Sequence, residues 1–304
     1  MSGTAVTPAP SVRHKALRRR NTLLGWIFIL PNFVGFALLT LIPVLTLFYY
    51  SFTDWNVFTG AEWSGLDNFK QLAKDETFRT SVVNTFYYAV LHIPLTLVLS
   101  LGLALLLNQK IFGRAFFRTA AFFPYITSIV AVAVVWNMLF SPDFGPINQF
   151  LKLIGITNPP RWTASSTWSM PAVVIVGTWR EMGYYMILFL AGLQTIPGEL
   201  YEAAKVDCAS AWQRFWNVTV PCLRPTTFFV TIMLTIGSFK VFDLILVMTQ
   251  GGPGTSTLVL SQFIYQKGFV ENQFGYASAA SIVLFAICLV ITVVQFVGNK
   301  RSEA

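Results

Sequence analysis

Residues 200–221 read LYEAAKVDCASAWQRFWNVTVP, a polar insert in which Glu202 and Asp207, with Glu199 just before it, crowd around small residues. On either side lie long apolar runs, 170–193 and 226–248. A run of about 20 apolar residues spans the hydrocarbon core of a bilayer, where only a helix or a closed barrel satisfies its own backbone. The insert therefore separates two crossings and holds a short structure at the surface between them. Its reading sets the architecture of the rest.

Working outward, four further runs of that kind appear at 23–48, 82–107, 120–139 and 276–297. Of 304 residues 55% are hydrophobic and only 11% charged, against about 25% charged in a soluble domain. The expected fold is an all-α membrane protein, a polytopic bundle of six transmembrane helices. The first run is too long for a secretory signal core, and no small-x-small site closes it. Residues 1–22, with Lys15, Arg18, Arg19 and Arg20, read as a disordered basic tail at an anionic lipid surface.

Charge bias orients the bundle. Segments 1–22, 108–119, 194–225 and 298–304 carry 13 Lys and Arg, whereas 49–81, 140–169 and 249–275 carry six. Positive loops stay cytoplasmic, so both termini and the insert are expected on that side. The net charge of +8 is topological on this reading, with no nucleic-acid partner. Cys208, Cys222 and Cys288 suggest neither a disulfide framework nor a metal cluster, and His14 and His92 do not suggest a metal or catalytic centre. No G-x-x-x-x-G-K-[ST] loop occurs, so no cofactor is expected and the chain is not read as an enzyme.

Within the insert, Pro197 suits a first helical position, and Glu199 and Glu202 favour the positive end of a helix. Leu200, Ala203, Ala204, Asp207 and Ala211 recur at helical spacing, so small side chains share a face that another backbone can approach. Ser210-Ala211-Trp212-Gln213 fits a capping box opening a second helix to about Asn217, which Pro221 and Pro225 then stop. Trp212, Phe215 and Trp216 settle at a bilayer boundary or against the bundle. The hairpin is either an interfacial connector or a docking knob.

Glu202-Ala203-Ala204, Asp207, Ala209, Phe215, Pro221 and Pro225 resemble the E-A-A-x-x-D-G-A signature of binding-protein-dependent ABC importer permeases. GLDNF at 65–69, FFRTAAFFP at 116–124, LAGLQTIP at 190–197, VFDLILVMTQGGP at 241–253 and FGYASAAS at 274–281 are similar to its sugar branch, which includes maltose and glycerol-3-phosphate permease subunits. The resemblance implies a type I importer permease fold whose coupling hairpin, 197–217, contacts an ATPase through Glu202, Ala203, Ala204, Asp207 and Ala209. Where the family has glycine this chain has Cys208, which in a left-handed turn costs about 1 kcal/mol.

Ionisable residues inside spans cost about 2.5–3.5 kcal/mol each at the helix centre and should face protein or water. Arg180, Glu181, Lys240 and Asp243 qualify, with Lys240 and Asp243 spaced to pair on one helix face. They form either a structural ion network or the wall of a solute path. Glu181, Tyr184, Lys240 and Asp243 are the path candidates. Gly251–Gly254 and the outer Asn68 and Phe69 read as turn residues or as contacts for an external binding protein.

The expected division is a tail at 1–22, a first span and outer loop at 23–81, a permease core at 82–297 with its coupling loop at 194–225, and a tail at 298–304. The expected function is translocation of a carbohydrate or polyol-type solute across a bacterial or archaeal plasma membrane. The implied partners are a second permease, two ATP-binding cassette subunits that hydrolyse ATP, and an extracytoplasmic solute-binding protein. The alternative is an ion-coupled carrier using Arg180, Glu181, Lys240 and Asp243 as a relay.

Overall fold

The computed structural model describes residues 12–56, 58 and 60–303. Helix α1, Val12–Phe36, runs through a π turn, Ala37–Leu41, into α2, Ile42–Ser51. Pro43 follows that turn; its missing amide and ring displace the ladder behind it, and a wider turn absorbs the displacement. Because α1 begins at Val12, residues 12–22 extend the first helix, while residues 1–11 of the expected tail lie outside the described residues.

Outside the first span, β1 (Thr53–Asn56) and β2 (Gly60–Trp63) form an antiparallel hairpin with Thr53 opposite Trp63. It is the only sheet among the described residues. Helix α3 is Asp67–Lys74 and α4 is Glu76–Leu107. Asp75 caps α4 by accepting the Thr77 and Phe78 amides at 2.8 and 3.1 Å, and the Tyr276 hydroxyl donates to its other oxygen at 2.8 Å. Buried Asn68 donates to the Ser51 and Thr53 carbonyls, 2.9 Å each, which ties α3 to the end of the first span.

The chain continues as α5 (Arg114–Ile126), α6 (Ile129–Leu139), α7 (Pro146–Leu153) and α8 (Ser169–Gln194). Then come α9 (Gly198–Val206), α10 (Ala211–Arg214), a π turn (Phe215–Thr219), α11 (Val220–Cys222) and α12 (Arg224–Phe239). Helices α13 (Asp243–Met248) and α14 (Leu260–Tyr265), a π turn (Gln266–Val270) and α15 (Phe274–Glu303) complete the order.

Four helices are long and apolar enough to cross a membrane: Leu24–Ser51, Glu76–Leu107, Ser169–Gln194 and Phe274–Asn299. Two expected spans are not straight. The run at 120–139 breaks between α5 and α6, bent by 98°, because Thr127 and Ser128 are extended and interrupt the helical ladder. The Thr127 hydroxyl donates to the Phe123 carbonyl left free there, at 2.9 Å. The run at 226–248 ends at Phe239 and resumes at Asp243. In the gap the Val241 carbonyl accepts the Ser261 hydroxyl. Segments Ala211–Cys222 and Arg224–Phe239 meet at 67°, so six crossings result when each bent pair counts once.

Helix α8 lies at the centre. Its first half (Met170, Ala172, Val173, Val174, Val176) packs in one buried cluster with Tyr88, Ala133, Leu244 and Ile245. Its second half (Met186, Phe189, Leu190, Leu193) joins another with Ala104, Leu223, Val230 and Leu234. Arg180 and Glu181 fall at the joint between the two. A Cβ on Gly183 would fall inside the van der Waals shell of the Ala121 carbonyl, so glycine permits the approach of α5 to α8. The outer flanks of α1, the π turn after it, α4 and α15 leave Phe28, Leu39, Val90, Val98 and Val294 exposed, the surface lipid covers.

Candidate functional site

The insert folds as a helical hairpin. Helix α9 starts at Gly198 with Pro197 as its extended N-cap, one position later than the sequence suggests, because Pro197 has a ψ of 130°. At the other end Ala209 N–H donates to the Ala204 carbonyl (2.9 Å) and Cys208 N–H to the Lys205 carbonyl (3.0 Å), the two bonds of a Schellman motif. Cys208 occupies its left-handed position with φ 55°, the conformation in which a side chain is strained.

The capping box forms as expected. Gln213 N–H donates to Ser210 Oγ at 3.3 Å, and Ser210 N–H donates to Gln213 Oε1 at 2.7 Å. The second arm does not stop at Pro221; it passes through the π turn, which absorbs the missing proline amide, and continues to Cys222. Buried Leu223 then marks the bend into α12. Tyr201 Oη lies 2.9 Å from Thr219 Oγ1, a hydroxyl pair that fastens the two arms. Trp212 and Trp216 are exposed and pack against half-buried Phe215.

The signature residues divide into two groups. Glu202, Ala203 and Asp207 are exposed, whereas Ala204 and Ala209 are half-buried in the crook of the hairpin. Ala204, Asp207, Cys208 and Ala209 line a recess of about 360 Å³ with Gln213 and Arg214 from the second arm. The recess has both charges and small residues on its walls.

A second site lies inside the bundle, in a cavity of about 160 Å³. Helix α4 contributes Tyr88 and His92, α8 contributes Gly177, Arg180 and Glu181, and the broken α12–α13 segment contributes Ser238, Lys240 and Asp243. Arg180 Nη1 lies 3.8 Å from Glu181 Oε1. The same guanidinium sits 5.4 Å from the centre of the Tyr125 ring and donates through Nη2 to the Tyr125 carbonyl at 3.5 Å. Adjacent in sequence, Arg180 and Glu181 thus share a contact and each reaches a further helix.

Three of the four path candidates, Glu181, Lys240 and Asp243, come together here. Tyr184 does not; it stacks on Tyr125 with ring centres 4.5 Å apart, away from the cavity wall. The expected Lys240–Asp243 pair is also absent among the described residues, because the chain leaves the helix between them and they no longer share a face. Lys240 faces two spaces at once: the polar cavity and an apolar groove of about 430 Å³ against α15, lined by Ile236, Phe285 and Cys288. Tyr88, His92 and Ser238 belong to the wall and were missed. One signal was available for His92, an ionisable residue inside an apolar run.

Around the cavity Tyr88 stacks on His92 with ring centres 4.9 Å apart, and His92 Nδ1 lies 3.0 Å from Ser238 Oγ. A Cβ on Gly177 would meet the Tyr88 hydroxyl at 2.6 Å, so glycine permits the close approach of Tyr88 to α8. Such a wall supplies hydrogen-bond donors, acceptors and charges to a polar guest. Among the described residues no cluster of three or more His, Cys, Asp or Glu could hold a metal ion.

A family described as "binding-protein-dependent transport system inner membrane component" matches residues 93–303. A probable permease protein of the starch degradation products transport system of Thermoanaerobacterium thermosulfurigenes is 34% identical over 95% of this chain and 98% of its own length. A bacterial ABC transporter involved in import of the acidic polysaccharide alginate superposes with a TM-score of 0.82 at 27% identity, covering 95% of this chain and 99% of the other. The alginate transporter in complex with an alginate pentasaccharide-bound periplasmic protein superposes with a TM-score of 0.79 at 27% identity, covering 91% and 93%.

Proposed function

Because the chain belongs to the binding-protein-dependent transport system inner membrane components, we propose that it is the translocation subunit of an ATP-driven importer for a carbohydrate or polyol-type solute. It works beside a second permease, two ATPase subunits that hydrolyse ATP, and an extracytoplasmic solute-binding protein. Both termini and the 197–217 hairpin face the cytoplasm on this reading, in line with the excess of Lys and Arg in those segments. The carbohydrate class is supported by the starch-product relative and the alginate importer. Family membership takes the place of the ion-coupled carrier that the intramembrane charges left open.

The observation that carries the mechanism is connectivity. The hairpin sits between α8 and α12, and those two helices supply Arg180, Glu181 and Ser238 to the cavity wall, with Lys240 capping the end of α12. From Gln194 back to Glu181 is about 20 Å of helix, and from Arg224 to Lys240 about 24 Å, at 1.5 Å per residue. A push on the hairpin therefore acts on both walls through rigid rods. The Schellman turn, the capping box and the Tyr201–Thr219 contact keep the hairpin from absorbing it.

Exposed Glu202, Ala203 and Asp207 form the ATPase contact, and Ala204 and Ala209 leave room in the crook for an inserted side chain. Nucleotide-driven closure of the ATPase pair shifts the bundle between inward-open and outward-open states only by binding one of them more tightly. Moving a population from 1:99 to 99:1 takes about 5.5 kcal/mol of such preference. Glu181, Lys240 and Asp243 line the solute path, with Arg180 as their neighbour; Tyr184 acts from behind by stacking under Tyr125.

The test is import into proteoliposomes. Liposomes holding this chain, its second permease and the ATPase pair should accumulate labelled carbohydrate when ATP is inside and loaded binding protein outside. Accumulation by this chain alone, driven by an ion gradient, would overturn the reading.

A further inference from the structure

His92 has 1% of its surface exposed, yet its ring is only half satisfied. Nδ1 is engaged with Ser238 Oγ at 3.0 Å, while Nε2, beside the Gly177 backbone, makes no hydrogen bond of good geometry. Glu181 Oε2 lies 3.8 Å from that nitrogen, outside hydrogen-bond distance. A buried polar atom left without a partner costs about 1–3 kcal/mol, and the layer around it is built: Tyr88 stacks on the imidazole, and the missing side chain of Gly177 lets the Tyr88 hydroxyl pack close against α8. A nitrogen and a carboxylate oxygen 3.8 Å apart can both contact one oxygen placed between them at about 2.8 Å from each.

The enclosing space of about 160 Å³ equals the liquid volume of roughly five waters. It admits the edge of a hydroxylated ring rather than an oligosaccharide.

We propose that His92 is a specificity-determining residue for the transported carbohydrate, whose hydroxyl group binds between His92 Nε2 and Glu181. Ser238 positions the ring from the opposite nitrogen. The same chemistry is available from water, so the oxygen that fills the gap in the resting protein is replaced by a solute hydroxyl during transport. This inference rests on the carbohydrate-import reading above.

The experiment uses the complete transporter with its binding protein in proteoliposomes, and labelled maltotriose, lactose and an alginate trisaccharide as probes. Where none of the three is imported, the sugar or polyol that the binding protein captures replaces them, and failure of the unaltered protein to import any such solute overturns the carbohydrate reading and this inference with it. Import of any one sets the parent sugar for a series of its monodeoxy analogues, each scored as sugar delivered per ATP hydrolysed. In the unaltered protein, removing one particular hydroxyl should lower delivery about tenfold, the size of one hydrogen bond. In His92→Phe the parent sugar should fall to the level of that analogue, and the analogue itself should not fall further. His92→Gln, which keeps a donor and an acceptor, should recover part of the discrimination. Equal delivery of the parent and every analogue by the unaltered protein would mean that water alone occupies the gap, and would overturn the assignment. An equal loss for all sugars in His92→Phe, with the complex intact by size-exclusion chromatography, would make the residue structural and overturn it as well. Should His92→Phe fail to assemble, Ser238→Ala supplies the same comparison, and unchanged discrimination there overturns the proposal.

Discussion

Two glycines in transmembrane helices should respond in opposite directions to the same substitution. Gly102 in α4 has nothing within 4 Å of an added Cβ, whereas a Cβ on Gly183 in α8 would overlap the Ala121 carbonyl and approach Phe122 Cα at 3.0 Å. Alanine is favoured over glycine in a helix by about 1 kcal/mol, and at Gly102 that gain is unopposed. At Gly183 the obstruction is backbone, which cannot rotate away, so the overpacking cost belongs at the upper end of about 1–3 kcal/mol. The net is a gain of about 1 kcal/mol for Gly102→Ala and a loss of about 2 kcal/mol for Gly183→Ala. At about 2–4 °C per kcal/mol, the apparent melting temperature in detergent should rise a few degrees for the first and fall roughly 4–8 °C for the second. Separating α5 from α8 also pulls Tyr125 from Arg180, so import per surviving molecule should drop for Gly183→Ala alone. The assay is the fraction remaining monodisperse after heating, followed by chromatography. A Gly183→Ala protein melting at or above the unaltered one would refute the packing argument.

Asp75 gives a pH prediction. Burial works against its charge, but the Tyr276 hydroxyl, the Phe78 and Thr77 amides and the nearby Lys267 outweigh that and hold its pKa below the ordinary 3.8. A depressed carboxylate contributes stability above the unfolded pKa and loses it as pH falls through the folded one. Tyr276→Phe should therefore lower the melting temperature at pH 7, and the difference should shrink as pH falls below the ordinary carboxylate range; a difference that stays constant on acidification would contradict the assignment. Asn68→Ala should destabilise by about 1–3 kcal/mol, since it strips the Ser51 and Thr53 carbonyls of their donor; melting measures it. Tyr201→Phe should leave melting within about 1 kcal/mol of the unaltered protein yet lower import per ATP, because the hairpin arms can then slip. Cys208→Gly should be nearly neutral in melting, as about 1 kcal/mol of relieved left-handed strain is offset by a more flexible unfolded chain.

Signals that act over a few residues were legible. The capping box at Ser210 and Gln213 is encoded in four positions and forms as read. Long apolar runs were legible because the bilayer thickness sets their length, and 82–107, 170–193 and 276–297 each fall inside an observed helix. The breaks inside 120–139 and 226–248 were not, since apolar composition is blind to a gap such as the one where Ser261, twenty residues on, satisfies the Val241 carbonyl. The Lys240–Asp243 pairing failed for the same reason. The cavity needed the rotational setting of α4, α8 and α12 relative to one another, which no spacing within one helix reports. So Tyr184, one turn from Arg180, was selected although it faces Tyr125, and His92, 89 residues from Glu181, was passed over. The Tyr276–Asp75 bond, spanning 201 residues, left no mark in the sequence at all.

Capture of the ATPase on this chain tests the coupling claim most directly. With the unaltered permease pair immobilised in detergent, the ATPase subunits should be retained. Ala203→Trp and Glu202→Ala, both on exposed hairpin positions, should release them while the melting temperature stays put. Full retention by Ala203→Trp would mean that the ATPase grips some other surface, and the hairpin would then be no more than a connector between α8 and α12.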